Sequence, residues 1–246
     1  MKSSETSSAR RLASEPADVD APSRAAAKPL RRRPQLSEEV ATHLRGQIMT
    51  AAVQPGDYIR MDETAEALGV SVTPVREALL TLRGEGMVNL VPRRGYVVAE
   101  LSRTDVEDLF WLQGAIAVKL ALRTADVITE EQLAELEWCN RQLRAALDAG
   151  DVDAVQDAEF DFHRVHNHIA DGRKLAWFLL AATRYTPAHL YAADPEWGDV
   201  AVDSHARLID AYRSEDRDAV VEQTRRQFVD GSTRLTRHLE NSGIWS

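Results

Sequence analysis

Thr73, Arg76 and Arg83 are the first side chains in this chain whose type and spacing suggest a chemistry. They lie in Asp62 to Gly86, DETAEALGVSVTPVREALLTLRGEG. Wound as a helix from Thr73, this stretch puts Val75, Ala78, Leu79 and Leu82 on one face and leaves Thr73, Arg76, Leu80 and Arg83 free on others. Hydroxyl and guanidinium groups near the start of an exposed helix can bond phosphate oxygens and base edges. Arg93 and Arg94 add a second cationic point. They fall in Pro92-Arg-Arg-Gly95, between the β-prone runs Met87–Val91 and Tyr96–Val98, which reads as a hairpin with two cations at its tip.

These groups need a scaffold. A short helix is expected from about Asp62 to Leu68, a turn at Gly69, and a second helix from Thr73 to about Glu85, with Thr73 as N-cap and Pro74 at the first helical position. Alone, this could be a plain helical hairpin. Its flanks favour more. Ser-Glu-Glu-Val40 opens an earlier helix at Ser37 with a buried stripe of Val40, Leu44 and Ile48, and Gln54-Pro-Gly-Asp-Tyr58 reads as a turn. Helix, helix-turn-helix and hairpin make a winged DNA-reading head over residues 36–100.

Residues 101–246 read as an all-helical antiparallel bundle, so the chain as a whole is mainly α. Helices are expected over 102–125, 130–149, 151–170, 173–192, 200–214 and 216–241. Residues 1–35 are rich in Ser, Ala, Pro and Arg without apolar periodicity. They are expected to form a disordered arm whose Arg31, Arg32 and Arg33 could lie along phosphates.

The net charge of −9 argues against nucleic acid until its distribution is read. Lys and Arg against Asp and Glu number 5 to 4 in residues 1–30, 9 to 8 in 31–98 and 16 to 27 in 99–246. The acidity therefore belongs to the bundle, and local patches govern phosphate contact. The single cysteine, Cys139, excludes an internal disulfide and a Cys-based zinc cluster. No apolar run approaches the roughly 18 residues of a membrane span, and a cytoplasmic protein with no membrane partner is expected.

Residues 37–100 resemble the winged helix-turn-helix of the GntR regulators. The resemblance rests on Gln54-Pro-Gly-Asp57, Leu68-Gly-Val-Ser71, Thr73-Pro-Val-Arg-Glu-Ala-Leu79, Leu82, Glu85-Gly-Met-Val88 and Pro92-Arg-Arg-Gly95. Behind it, the helical part is similar to the FCD ligand-sensing domain of the FadR-like subfamily. Glu159 to His163 with Phe162, Asp171 to Leu175, and Ser204-His205 leading to Ile209-Asp-Ala211 carry that likeness. The resemblance implies a homodimeric repressor that leaves a palindromic double-stranded operator when a small-molecule effector binds. For the head it implies DNA contacts from Ser71, Thr73, Arg76, Arg93, Arg94 and Gly95. Val72 and Asp62 stand where the family often has arginines, which implies an altered operator preference.

For the bundle the resemblance implies one divalent metal ion (zinc, nickel or manganese) held by Glu159, His163 and His205. Gln227 takes the fourth position, where a histidine is usual, and His166 is a potential substitute. Glu159 and His163, four residues apart, share one helix face, which suits joint ligation. Gln113 and Ala117 replace an inward Arg and Glu of the family. The effector pocket is accordingly expected to be apolar or aromatic, from Trp111, Gln113, Trp177 and Tyr185 with Phe178 nearby. Two rival readings differ in class. One is a metal-assisted hydrolase using Glu159, His163 and His205; the other is an effector-free architectural DNA-binding protein.

Overall fold

The computed structural model describes residues 35–245. The arm expected over residues 1–35 lies outside them apart from Gln35. The head begins with α1 (Gln35–Met49), which buries Val40, Leu44 and Ile48. Ser37 therefore sits inside the first turn and is not the cap, because Gln35 and Leu36, both good helix formers, extend the helix backwards. The helix-turn-helix is α2 (Met61–Ala67) and α3 (Val72–Gly84), joined through Gly69 at φ 65°. Pro74, Val75, Ala78, Leu79 and Leu82 make the buried face of α3.

Ser71, not Thr73, is the N-cap of α3. The helix tolerates the earlier start because Pro74 then falls at the third helical position. Its missing N–H is one of the first-turn donors that have no intrahelical acceptor in any case.

The wing holds one strand more than expected. Strand β1 (Tyr58–Ile59) pairs antiparallel with β3 (Gly95–Val98), which also pairs with β2 (Val88–Val91), giving the order β1-β3-β2. The registers are Tyr58↔Val97 and Ile59↔Tyr96 on one side, and Val88↔Val98 through Val91↔Gly95 on the other. Two residues carry no readable alternation, so β1 is visible only through its partner. At the wing tip Arg93 adopts φ 64° and Gly95 φ 101°, while the Arg94 N–H closes the turn onto Val91 O at 3.0 Å.

The bundle comprises α4 (Arg103–Val127), α5 (Glu130–Ala149), α6 (Val152–Ile169), α7 (Arg173–Ala182), α8 (Ala188–Ala192), α9 (Pro195–Arg213) and α10 (Arg217–Asn241). Ser102 with Asp105 and Thr129 with Gln132 form capping boxes at α4 and α5. The single helix expected over 173–192 is broken. A 3-10 turn, Thr183–Tyr185, follows α7, and Thr186 turns extended at φ −94°, ψ 118° ahead of Pro187, which disfavours helix at the residue before it. Helix α9 starts at Pro195 rather than 200, with the Asp194 side chain accepting from the Glu196 N–H. Asp194-Pro195 is a local helix-start pattern that the sequence itself carries.

Head and bundle share apolar packing. One buried cluster runs from Leu79, Leu82 and Val88 to Val106 and Phe110 of α4 and to Leu235 and Leu239 of α10. Helices α4 and α10 pass closely at Gly231, where a Cβ would lie 2.8 Å from Phe110 Cε1. Polar ties reinforce the junction: His238 Nε2 donates to Thr50 O at 3.0 Å, and Trp245 Nε1 donates to Leu101 O at 2.5 Å.

Candidate functional site

The head exposes a small set of hydroxyl and guanidinium groups on α3 and on the wing. Ser71, Thr73, Arg76, Arg93 and Arg94 are exposed, and Gly95 is half-buried in the sheet. None of the described carboxylates forms an ion pair with Arg76, Arg93 or Arg94, and Ser71 makes no side-chain cap bond. The three guanidinium groups are therefore available for an anion contact. Val72 is half-buried and Asp62 exposed. Leu80, one turn beyond Arg76, is 45% exposed on the same helix.

One part of the head escaped sequence reasoning. Arg45, buried on α1, grips Glu85 at the end of α3 with Nε to Oε2 at 2.9 Å and Nη2 to Oε1 at 3.0 Å. A pair 40 residues apart leaves no local signal.

Inside the bundle, α6 and α9 bring Glu159, His163 and His205 together, with their ligand atoms all within 4.8 Å of one another. His163 Nε2 donates to Glu159 Oε1 at 3.1 Å, and His205 Nε2 lies 3.7 Å from Glu159 Oε2. The tautomer of His205 follows from Asn140 on α5. Asn140 Nδ2 donates to Val202 O at 3.0 Å, which turns its Oδ1 towards His205 Nδ1 at 3.3 Å. Nδ1 thus carries the proton and Nε2 faces the carboxylate with a bare lone pair. The ring stacks on Phe162 at 3.6 Å, which holds it in plane.

Burial pushes His205 down to about 4, against the pull of Glu159. Burial opposes ionisation of Glu159 too, yet His205, once it takes up its proton in acid, and the His163 hydrogen bond outweigh it and leave that carboxyl below the usual range. Glu159 Oε2 is buried without a hydrogen-bond donor. A bare imidazole nitrogen and a bare carboxylate oxygen aimed at each other repel unless a cation lies between them. One carboxylate and two imidazoles also suit a borderline divalent ion, so the residues fit a metal.

Gln227, on α10, carries a buried Nε2 without a partner. His166 does not join the set: it is buried, shares a 2.5 Å hydrogen bond with Tyr212 Oη, and is pushed down to about 3 by burial.

The four residues expected to form an effector pocket are not brought together. Trp111 on α4 and Trp177 on α7 are 72% and 63% exposed, with Trp177 edge-on to Phe178. Tyr185 points to the head, its hydroxyl donating to Glu85 O at 2.6 Å. Only Gln113 is fully buried, donating to Ala182 O at 3.2 Å and accepting from the Thr186 hydroxyl at 3.3 Å. The divergence of Trp111 from Gln113 has a simple cause. Residues two apart on a helix diverge by about 200°, so Trp111 and Gln113 cannot line one wall.

A winged helix-turn-helix with exposed, unpaired arginines, joined to a bundle with an interior carboxylate–imidazole set, defines a transcription regulator with a DNA-binding head and a ligand-sensing domain on one chain. Comparison with known proteins agrees: the family described as "Bacterial regulatory proteins, gntR family" matches residues 36–98, and the FCD domain matches residues 108–230. The chain belongs to the GntR family, in its FCD branch. It is similar to the HTH-type transcriptional repressor RspR of Escherichia coli K12, 28% identical over 191 residues, covering 75% of this chain and 82% of RspR. It is also 28% identical to the E. coli regulator McbR over 120 residues, 49% of this chain and 54% of McbR. The solved structure of E. coli McbR/YncC shares the fold with a TM-score of 0.63 at 22% identity, over 82% of this chain and 97% of that one. These relatives are regulators, not enzymes, and the hydrolase reading of Glu159, His163 and His205 is set aside. Among the described residues no helix is long and apolar enough to cross a membrane.

Proposed function

We propose that this protein is a homodimeric, ligand-responsive repressor that releases a palindromic double-stranded operator when a small metabolite enters its bundle. The carrying observation is the winged helix-turn-helix itself, on which Thr73 and Arg76 of α3 and Arg93 and Arg94 of the wing are exposed, the three arginines outside any described ion pair. Residues 36–100 are the DNA-binding domain and 101–246 the sensing and dimerising domain. Ser71 and Thr73 bond phosphates, Gly95 lets the wing backbone approach the duplex, and Leu80 offers an apolar contact for a thymine methyl. Repression follows the similarity to RspR, whose name says repressor. The reading places the protein in the cytoplasm.

Dimerisation has a surface to use. Helices α4 and α7 pack against each other and leave Trp111, Trp177 and Leu180 on the outside, exposed by more than half. A second copy would cover this apolar face, and two-fold symmetry would then match an operator palindrome. Glu159, His163 and His205 would hold one zinc, nickel or manganese ion. Such an ion supplies a Lewis-acid anchor for an anionic or carbonyl group of the effector.

The head assignment is tested by titrating Arg76→Ala against DNA from the protein's own upstream region at matched salt. A bidentate arginine contact is worth roughly 1–3 kcal/mol, so operator affinity should fall about 10- to 100-fold, with little change in melting temperature because the side chain is exposed. Wild-type affinity in this variant would sink the assignment.

A further inference from the structure

The turn after α7 touches both parts that a ligand-responsive regulator has to connect. On the bundle side, Gln113 is 1% exposed in α4 and commits both of its polar atoms to this turn, Nε2 to Ala182 O at 3.2 Å and Oε1 to the Thr186 hydroxyl at 3.3 Å. On the head side, the Tyr185 hydroxyl donates to Glu85 O at 2.6 Å, and Arg184 Nη1 lies 3.3 Å from Glu85 Oε1. Glu85 is the C-cap of α3. Five consecutive residues therefore hold an interior polar group with one face and the end of the recognition helix with the other.

We propose that residues 182–186 are the transmission segment through which the bundle interior sets the position of α3. Gln113, Thr186 and Tyr185 are its positioning residues. The inference rests on the reading of the protein as a ligand-responsive regulator and says which bonds carry the response. A ligand whose carboxylate, hydroxyl or amide competes for the Gln113 amide leaves Ala182 O or the Thr186 hydroxyl short of a partner, and the turn must adjust. Tyr185 and Arg184 then release Glu85.

The release is feasible for two reasons. Glu85 keeps its two bonds to Arg45 within the head, so no buried charge is stranded when the turn lets go. Beside the contact, a cavity of about 380 Å³ lies between Met49 and Met87 of the head and Leu109 and Leu112 of α4, with Tyr185 at its edge. The head has room to tilt there while its apolar contact with α10 persists. A ligand that favours one arrangement shifts the population by its differential affinity.

The test is amide hydrogen exchange on the full-length protein without DNA or ligand, comparing Tyr185→Phe on the head side with Gln113→Met and Thr186→Val on the bundle side. Each should speed exchange in residues 83–88 by roughly fivefold, the scale of one lost hydrogen bond, with α5 and α6 unchanged. The Gln113→Met/Tyr185→Phe double variant should exchange no faster than Tyr185→Phe alone, because both act through one contact. If Tyr185→Phe opens 83–88 while the bundle-side variants leave it at the wild-type rate, or if the effects multiply, the segment does not transmit and the inference falls. Thr186→Val decides the matter if Gln113→Met fails to fold. Failure of wild-type protein to bind operator DNA would overturn the repressor reading instead, since exchange is read without DNA.

Discussion

Lowering the pH from 7 to 5 is expected to cost the metal-free protein about 4 kcal/mol of stability, about 2 kcal/mol from each of His166 and His205. Burial pushes both below the ordinary imidazole value of 6.5, His166 to about 3 and His205 to about 4. The unfolded chain then takes up protons at a pH where the folded one does not. The stability these histidines contribute is present in full above about 6.5 and drains away as the pH falls towards 4 and 3. Urea unfolding at pH 7, 6 and 5 with chelator present measures it. His166→Gln should show about half the wild-type loss, because its carboxamide can still meet Tyr212 Oη without a charge to bury. An unchanged pH slope in that variant would mean that His166 already titrates normally in the folded protein.

The second large effect concerns the cation. Zinc, nickel or manganese added to chelator-stripped protein at about 100 times its dissociation constant should stabilise the fold by about 2.7 kcal/mol. For a chain of this size that is roughly 5–10 °C in melting temperature. The reasons are local: Glu159 Oε2 is buried without a donor, and Asn140 turns the bare Nε2 of His205 towards it. Metal ligation needs the imidazole lone pairs, so acid should weaken the response. His205→Ala should abolish the shift. His163→Ala, at a half-buried position, should reduce it with less damage to the core. If all three ions leave the wild-type melting curve where it was, the carboxylate–imidazole set is a packing motif and not a metal centre.

Comparing the expected with the observed elements shows which signals travel through sequence. The apolar stripe of α3 and the Pro92–Gly95 turn are local patterns, and each appears where it is expected. Glu159 and His163 sit one turn apart for the same local reason. The misses are short or non-local. Strand β1 is two residues long, and the helix expected over 173–192 is interrupted by a 3-10 turn ahead of Pro187. Trp111 and Trp177 suit a pocket by chemical type, and both stand exposed on α4 and α7.

By itself, then, the sequence determined the two-part organisation, the apolar face of the second helix of the helix-turn-helix and the pairing of acid with histidine on α6, because those depend on spacing within one element. Tertiary structure decided the rest. It brought His205 to Glu159, fixed the imidazole tautomer through Asn140, and joined Arg45, Arg184 and Tyr185 on Glu85. Each of those contacts links residues at least 40 positions apart, and only the packing of helices against one another sets which distant side chains meet.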